Sequence, residues 1–139
     1  MDIREFREAD EDAVIALWRS CGLVVPHNNP HKDIARKLQV GRDLFLVGTE
    51  GEAIVASVMG GYEGHRGWVN YLAVSPDHQR KGYGEILMRK IEALLLQRGC
   101  PKINLQVRRS NDAVISFYQA IGYGEDPVAS MGKRLEPDV

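Results

Sequence analysis

The segment that decides the fold reads Leu72-Ala73-Val74-Ser75-Pro76-Asp77-His78-Gln79-Arg80-Lys81-Gly82-Tyr83-Gly84. It starts as an apolar strand, passes through a polar loop and enters a helical pattern. A helix that begins in such a loop presents unpaired backbone N–H groups and the positive end of its dipole. Gly82 and Gly84 keep side chains off that backbone, and Arg80 and Lys81 add positive charge at the rim. The segment therefore predicts an anion site that suits a pyrophosphate.

Two commoner phosphate-binding loops do not fit this segment. Ile86 and Leu87 stand where a dinucleotide-binding loop requires its third glycine. The Gly-Lys-Ser/Thr sequence of a Walker loop does not follow either. The two glycines alone are compatible with a tight, solvated turn, so the patterns around the loop have to decide its role.

The residues before the loop predict four strands and two helices. We expect strands over residues 3–6, 44–47, 53–59 and 68–74, an amphipathic helix capped by Asp10 and ended by Gly22, and a brief helix over residues 33–38. The last three strands follow one another across short turns, so they should form an antiparallel meander.

The residues after the loop predict a β–α–β unit and a final helix and strand. A long helix should run to about Arg98, and residues 102–107 alternate apolar and polar side chains as a half-buried strand does. A last helix ends at Gly122, and residues 128–135 supply a final strand. The sum is an α/β fold: one domain over residues 1–139, with a mixed sheet of six or seven strands and about four helices on its two faces.

Composition narrows the possible partners. The formal net charge is -1 at pH 7 and the charges are spread along the chain, so we expect neither nucleic acid nor an anionic membrane as a partner. The chain shows no signal-peptide pattern and no apolar run of bilayer length, which predicts a cytoplasmic protein. Cys21 and Cys100 have no metal-ligand spacing and are expected to be semi-buried thiols, so no metal is expected.

A second motif decides between the interpretations of the loop. Residues 79–84 match the Q/R-x-x-G-x-G/A motif of the GNAT superfamily, the acetyl-CoA-dependent N-acetyltransferases. Downstream, Asn111-Asp112-Ala113-Val114-Ile115-Ser116-Phe117-Tyr118 followed by Ile121-Gly122-Tyr123 resembles the family's N-x-x-A-x-x-F-Y…G-F/Y signature. The resemblance covers nearly the whole chain. It implies the GNAT fold, acetyl-CoA as cosubstrate and acetyl transfer to an amine.

The resemblance also implies which residues hold the cosubstrate. The strand ending at residue 74 should hydrogen-bond the pantetheine arm through its backbone, and the loop should grip the pyrophosphate through backbone amides. The implied cofactor contacts are Leu72, Ala73, Val74, Gln79, Arg80, Lys81, Gly82, Tyr83, Gly84, Asn111, Phe117 and Tyr118.

A thioester is already activated, so the enzyme has to hold an uncharged amine, stabilise the developing oxyanion and protonate the departing thiolate. A backbone N–H near residues 72–74 is suited to polarise the carbonyl. The resemblance implies that Tyr118 is the general acid at the CoA sulfur. Spacing alone favours the interpretation of Tyr118 as an aromatic core residue of the last helix, beside Val114, Phe117 and Ile121, and only the motif favours catalysis.

The general base is less well defined. Many relatives carry a Glu on the strand equivalent to residues 68–74 or 102–107, and neither segment of this chain contains a carboxylate. Glu63 and His65, in the turn before the first of these strands, are the nearest titratable candidates. A water chain to solvent is an equal alternative, and a merely solvated turn is a third.

Three functions remain open at this level. The first is acetylation of a small amine or amino-acid-like metabolite, and the second is acetylation of a protein N-terminus or lysine. The third is a non-catalytic CoA-binding module, which the missing strand carboxylate favours and Tyr118 disfavours. The family also suggests a homodimer.

Overall fold

The structure is a computed structural model, and it describes residues 1–138. The chain divides into two compact units. The first comprises Met1–Asn104 together with Asp138, and the second comprises Leu105–Pro137. The single domain over residues 1–139 stays a prediction.

The first unit contains a five-stranded mixed sheet in the order β1-β2-β3-β4-β5. The strands are β1 (Asp2–Glu5), β2 (Phe45–Glu50), β3 (Ala53–Tyr62), β4 (Gly67–Val74) and β5 (Ile103–Asn104). The first four strands pair antiparallel, and β5 pairs parallel to β4. The predicted α/β class and the antiparallel meander are confirmed.

Four α-helices accompany the strands in the described chain. They are α1 (Glu11–Ser20), α2 (Pro30–Val40), α3 (Tyr83–Gln97) and α4 (Asp112–Ala120). The helix α2 is longer than the predicted 33–38 because Asn29 caps it: its side-chain oxygen accepts from the backbone N–H of His31 at 3.0 Å, and Pro30 begins the helix. Among residues 1–138, no helix is both long and apolar enough to cross a bilayer.

The predicted count of six or seven strands is wrong at the C-terminal side. The strand expected over residues 102–107 shortens to β5, whose pairing with β4 ends at Asn104. Residues 128–135 form no strand, and Val128, Met131 and Leu135 are 71%, 92% and 90% exposed. Apolar residues predict a strand only where one face is buried, and here that face is in solvent.

Two consecutive glycines of β3 show how the helices cover the sheet. A Cβ at Gly60 would lie 3.0 Å from Ile91 of α3, whereas one at Gly61 would lie 3.7 Å from the Lys37 ammonium of α2. Successive residues of a strand point to opposite faces, so α3 covers one face and α2 the other. The core on the α2 side also contains α1, and its buried members are Phe6, Val14, Ile15, Leu17, Trp18, Ile34, Phe45, Val47, Met59 and Ala73.

Asp10 stands at the N-cap position of α1, but its side chain does not cap that helix. The carboxylate instead accepts two hydrogen bonds from the Arg4 guanidinium, at 2.7 and 2.9 Å, and one from the Arg7 backbone N–H at 2.8 Å. The hydrogen bonds from Arg4 lower the pKa of Asp10, although burial opposes them. Instead of the predicted cap, Asp10 therefore forms an ion pair with Arg4 that connects the start of α1 to β1.

This ion pair should make stability depend on pH. The pKa of Asp10 is depressed in the fold, so its contribution is complete above the ordinary carboxyl pKa of about 4 and disappears as the pH falls through the folded value. We expect Asp10→Asn to lower the free energy of unfolding by about 2 kcal/mol at pH 7, because charge-assisted hydrogen bonds are lost.

Urea unfolding at pH 7 and near pH 3 measures this difference. The gap between Asp10→Asn and the unsubstituted chain should narrow in acid, while Asp12→Asn, an exposed change on the same helix, should matter little at either pH. An equal gap at both pH values would show that the Asp10 charge does not stabilise the fold.

Candidate active site

The candidate site is built on the C-terminal half of β4, where pairing with β3 is irregular. Two register pairs flank the irregularity: Ser57 with Ala73, and Met59 with Asn70. Between them β3 has one residue and β4 has two, Tyr71 and Leu72, which makes a β-bulge. Tyr71 takes a left-handed backbone conformation with a φ of 53°. A bulge bends its strand and re-aims the backbone groups beside it.

The other edge of β4 is open over most of its length. β5 pairs with β4 only at Gly67 and Trp68. Within the first unit, residues 69–74 therefore have no neighbouring strand on that side. Leu72, Ala73 and Val74 lie in this stretch, so the residues predicted to contact pantetheine share one open edge. Unpaired strand backbone is suited to bind an extended ligand by main-chain hydrogen bonds.

The end of β4 is tied to the loop that follows it. The Val74 carbonyl accepts a hydrogen bond from the Gln79 amide at 3.2 Å and another from the Cys21 thiol at 3.3 Å. Burial raises the pKa of Cys21, so this side chain acts as a neutral donor. Gln79, the first residue of the predicted anion loop, therefore fixes the loop against the strand.

The loop enters α3 through a left-handed glycine. Gly82 is the N-cap residue with a φ of 80°, and no side chain caps the helix there. The first helical hydrogen bond runs from Ile86 N–H to the Gly82 carbonyl at 3.0 Å, so the N–H groups of the first turn have no partner within the helix. Arg80 and Lys81 are exposed beside this turn. The arrangement has the backbone donors, dipole and charge that an anion site needs.

The Tyr83 side chain is directed away from a role as a phosphate donor. Its hydroxyl donates to the Glu50 carboxylate of β2, and this bond raises the pKa of Tyr83. The Tyr83 ring stacks on His78 with centroids 6.4 Å apart. The buried Nδ1 of His78 has no hydrogen-bond partner among the described residues. The Tyr83 side chain therefore attaches the loop to β2, and only its backbone N–H remains for the predicted site.

The second motif lies on α4 in the second unit. Asn111 is its N-cap, and its side-chain oxygen accepts from the Val114 N–H at 3.3 Å. Tyr118 is 9% exposed and meets the rings of Phe117 and Tyr123 edge-on, at 5.1 and 5.7 Å. Burial raises the pKa of Tyr118 to about 12. The phenol is therefore protonated across the physiological pH range.

The two candidate bases lie at the opposite end of β4. Glu63 and His65 are exposed in the turn before Gly67. The Glu63 carboxylate accepts from the backbone N–H groups of His65 at 3.0 Å and Arg66 at 2.5 Å, which closes the turn. At about 3.3 Å per residue, the strand separates Gly67 from Leu72 by roughly 16 Å. The structure does not bring these side chains to the bulge.

A different carboxylate reaches β4, and sequence reasoning missed it. The Tyr71 hydroxyl donates to the Asp33 carboxylate of α2 at 2.6 Å. Burial raises the pKa of Tyr71, and the bond to Asp33 raises it further. The two residues are far apart in the chain, and Tyr71 reads as an ordinary strand aromatic. The one signal in the sequence is indirect: the strands over residues 68–74 and 102–107 lack a carboxylate, so a carboxylate near β4 has to come from another element.

The fold has close counterparts among solved structures. The ribosomal-protein-S18-alanine N-acetyltransferase of Escherichia coli superposes with a TM-score of 0.76 at 26% identity, over 90% of this chain and 78% of that one. AAC(6′)-Iy, solved with the bisubstrate analogue CoA-S-monomethyl-acetylneamine, gives a TM-score of 0.76 at 17% identity, over 96% and 97% of the two chains.

Sequence comparison gives a closer relationship. An acetyltransferase of Sodalis glossinidius is 50% identical over 139 residues, covering 99% of this chain and 98% of the relative. One of Pectobacterium atrosepticum is 49% identical over 138 residues, with the same shares. The model of the Acetyltransferase (GNAT) family matches residues 6–123. The chain therefore belongs to the GNAT family of N-acetyltransferases.

Proposed function

We propose that the protein transfers an acetyl group from acetyl-CoA to a primary amine, by direct attack of the amine while both substrates are bound. The observation that carries this proposal is the uncapped N-terminus of α3 next to the open edge of β4. One feature suits a pyrophosphate and the other an extended amide chain, and acetyl-CoA contains both in that order.

The residues present fit the cosubstrate. A Cβ at Gly82 would meet no atom within 4 Å, so the space above that backbone is open to a phosphate oxygen. The N–H groups of the first turn of α3 would donate to the pyrophosphate, with Arg80 and Lys81 adding charge. The backbone of residues 72–74 would hold the pantetheine arm. When bound, acetyl-CoA supplies an acyl thioester that is already activated toward amines.

The bulge supplies the polarising group. We assign this role to the backbone N–H of Leu72, which belongs to the bulge and to the open edge. An N–H aimed at the carbonyl oxygen stabilises the charge that develops as the amine attacks, and removal of one such donor costs about a hundredfold or more in turnover elsewhere. The interaction strengthens in the transition state, so it acts on kcat.

Tyr118 is assigned as the general acid at the sulfur. Its raised pKa keeps the phenol protonated, so the proton is available when the thiolate departs. Desolvation that raises the pKa of a phenol also raises that of a thiol, so a thiolate held in the same surroundings would be a stronger base. Phe117 and Asn111 would complete the cofactor contacts from α4.

For the proton of the amine we propose a route through water to solvent. Glu63 and His65 lie at the opposite end of β4 from the bulge, and the Glu63 carboxylate accepts two backbone hydrogen bonds that close its turn. Glu63 and His65 remain the alternative. The route decides only how the amine becomes neutral and not which bond is made.

A small amine or amino-acid-like metabolite is the favoured acceptor. The likeness to the S18-alanine N-acetyltransferase, at 26% identity, supports a peptide N-terminus as the second candidate. A non-catalytic CoA-binding module is the third, and it differs from both because it has no use for an acid at the sulfur.

Acetyl-CoA should stabilise the protein against heat. Ligand at about 100 times its Kd adds roughly 2.7 kcal/mol, which raises Tm by several degrees. We expect CoA to match this shift, and NAD and ATP to lack it. The double change Arg80→Gln with Lys81→Gln should reduce the shift, whereas Lys90→Gln, an exposed change within α3, should not. No shift at millimolar acetyl-CoA would refute the proposed loop site.

Tyr118→Phe should separate catalysis from binding. The change removes only a hydroxyl, so the Kd for CoA should stay nearly the same, while turnover with the best amine of a screened panel falls by about a hundredfold. Thiol release measures turnover, and calorimetry measures the Kd. Because the pKa of Tyr118 is about 12, the unsubstituted enzyme should show no loss of this acid up to pH 10. Unchanged turnover in the variant would remove Tyr118 from the mechanism.

A further inference from the structure

The left-handed backbone of Tyr71 needs external support. A non-glycine residue in this region is sterically strained, because its Cβ crowds the backbone, so the conformation persists only where surrounding contacts enforce it. The φ of Tyr71 is 53°, and the residue sits beside the N–H that we assign to the acetyl carbonyl. Whatever holds Tyr71 in place therefore also sets the direction of that N–H.

Two of the supporting contacts come from the core. The Tyr71 ring lies flat on Trp18, with centroids 3.7 Å apart and planes inclined by 11°. The Ser57 hydroxyl donates to the Tyr71 carbonyl at 2.9 Å and accepts from the Trp18 indole N–H at 2.9 Å. Both Trp18 and Ser57 are fully buried. A buried side chain therefore holds each group of Tyr71: Trp18 holds the ring, and Ser57 holds the carbonyl.

The carbonyl contact fixes the neighbouring N–H by peptide geometry. The Tyr71 C=O and the Leu72 N–H belong to one planar trans peptide unit, so they point in opposite directions. Ser57 lies on β3 and holds the carbonyl toward that strand. The Leu72 N–H then points away from the Ser57 hydroxyl, and we infer that it faces the open edge of β4.

The third contact comes from outside the sheet. Asp33 lies in the first turn of α2, and its carboxylate receives the Tyr71 hydroxyl at 2.6 Å. A phenol donating to a carboxylate is a charge-assisted bond, stronger than a neutral one. Asp33 also meets the Arg36 guanidinium at 3.4 Å and is 27% exposed, so solvent and its helix both reach it. Of the three contacts that hold Tyr71, the bond to Asp33 is the one that depends on the position of α2.

We propose that Asp33 and Tyr71 are positioning residues: by holding the Tyr71 side chain, Asp33 keeps the bulge in the conformation that aims the Leu72 N–H at the acetyl carbonyl. The inference rests on the proposed acetyl transfer. It gives α2 a part in the reaction, since any shift of this helix would rotate the peptide that stabilises the oxyanion. Misplacement of such a group by about 1 Å can cost roughly a hundredfold in rate.

The Leu72 amide resonance tests the proposal without a known acceptor. In 15N-labelled protein, we expect this amide proton to move downfield with acetyl-CoA relative to CoA, because only acetyl-CoA offers the carbonyl. Tyr71→Phe and Asp33→Ala should lose most of that difference. Asp33→Asn should keep it, because the amide oxygen still accepts from the hydroxyl. Tyr62→Phe removes a hydroxyl that donates to backbone carbonyls at the far end of β4, and it should change nothing at Leu72.

Turnover gives a second readout. With the best amine of the panel, Tyr71→Phe and Asp33→Ala should lower kcat about tenfold to a hundredfold and leave the KM for acetyl-CoA within a few-fold, whereas Asp33→Asn recovers most of kcat. The double change Tyr71→Phe with Asp33→Ala should be no worse than either single change, because the two act as one unit.

The outcomes separate the two levels of the proposal. If acetyl-CoA moves neither Leu72 nor the amides of residues 82–85, the cosubstrate site itself is refuted. If the loop amides move but the Leu72 difference survives Tyr71→Phe, or if Asp33→Asn behaves like Asp33→Ala, the positioning role is refuted and the cosubstrate site stands. If Asp33→Ala loses its dispersed amide signals and is therefore unfolded, the milder changes Asp33→Asn and Tyr71→Phe decide the outcome.

Discussion

The hydrogen bond from the Ser57 hydroxyl to the Tyr71 carbonyl is the contact on which the bulge of β4, and with it the proposed active site, depends. It holds an extra residue of β4 in a conformation that a regular strand would not adopt. The bulge shifts the register of the pairing with β3, which resumes at Ala73, and residues 69–74 have no partner from β5. A full-length strand along that edge would satisfy the N–H groups that point to it and leave none for a ligand.

The same bond connects the core to the chemistry. The Ser57 hydroxyl accepts a hydrogen bond from Trp18, and the Trp18 ring stacks on Tyr71. A helix that is buried for hydrophobic reasons therefore also orients the backbone of the strand that we propose to be catalytic. Backbone donors suit this task because they cannot be deprotonated at neutral pH and have no rotamers to lose. The free-energy cost of orienting these donors is met when the protein folds, before the substrate binds. The direct side-chain role that we propose is that of Tyr118, a buried phenol whose raised pKa suits a proton donor.

The conformation of the predicted anion loop depends more on the residues of the loop itself than on packing against distant elements. Gly82 is needed because the N-cap has a φ of 80°, and its missing side chain leaves the first turn of α3 accessible. Gln79 and Tyr83 fix the loop to β4 and β2, so the exposed donors stand on a braced support. The Gly82 conformation and the Gln79 bond involve residues close in sequence, so a short motif can indicate them, whereas the bond from Tyr83 to Glu50 joins residues 33 positions apart.

The sequence by itself determined the elements whose signals are local: the α/β class, the meander, the strand–loop–helix junction at residues 72–84 and the helix that Asn111 caps. It failed where a pattern depends on a distant neighbour. The strand predicted over residues 128–135 needs a buried face, which its sequence alone cannot supply. Asp10 does not cap α1, because its carboxylate binds the Arg4 guanidinium and the Arg7 backbone N–H. Only the tertiary structure decided that Tyr71 would bulge and that Asp33 would meet it. A bulge is set by the register between two strands, and a contact between residues 38 positions apart leaves no periodic trace in the chain.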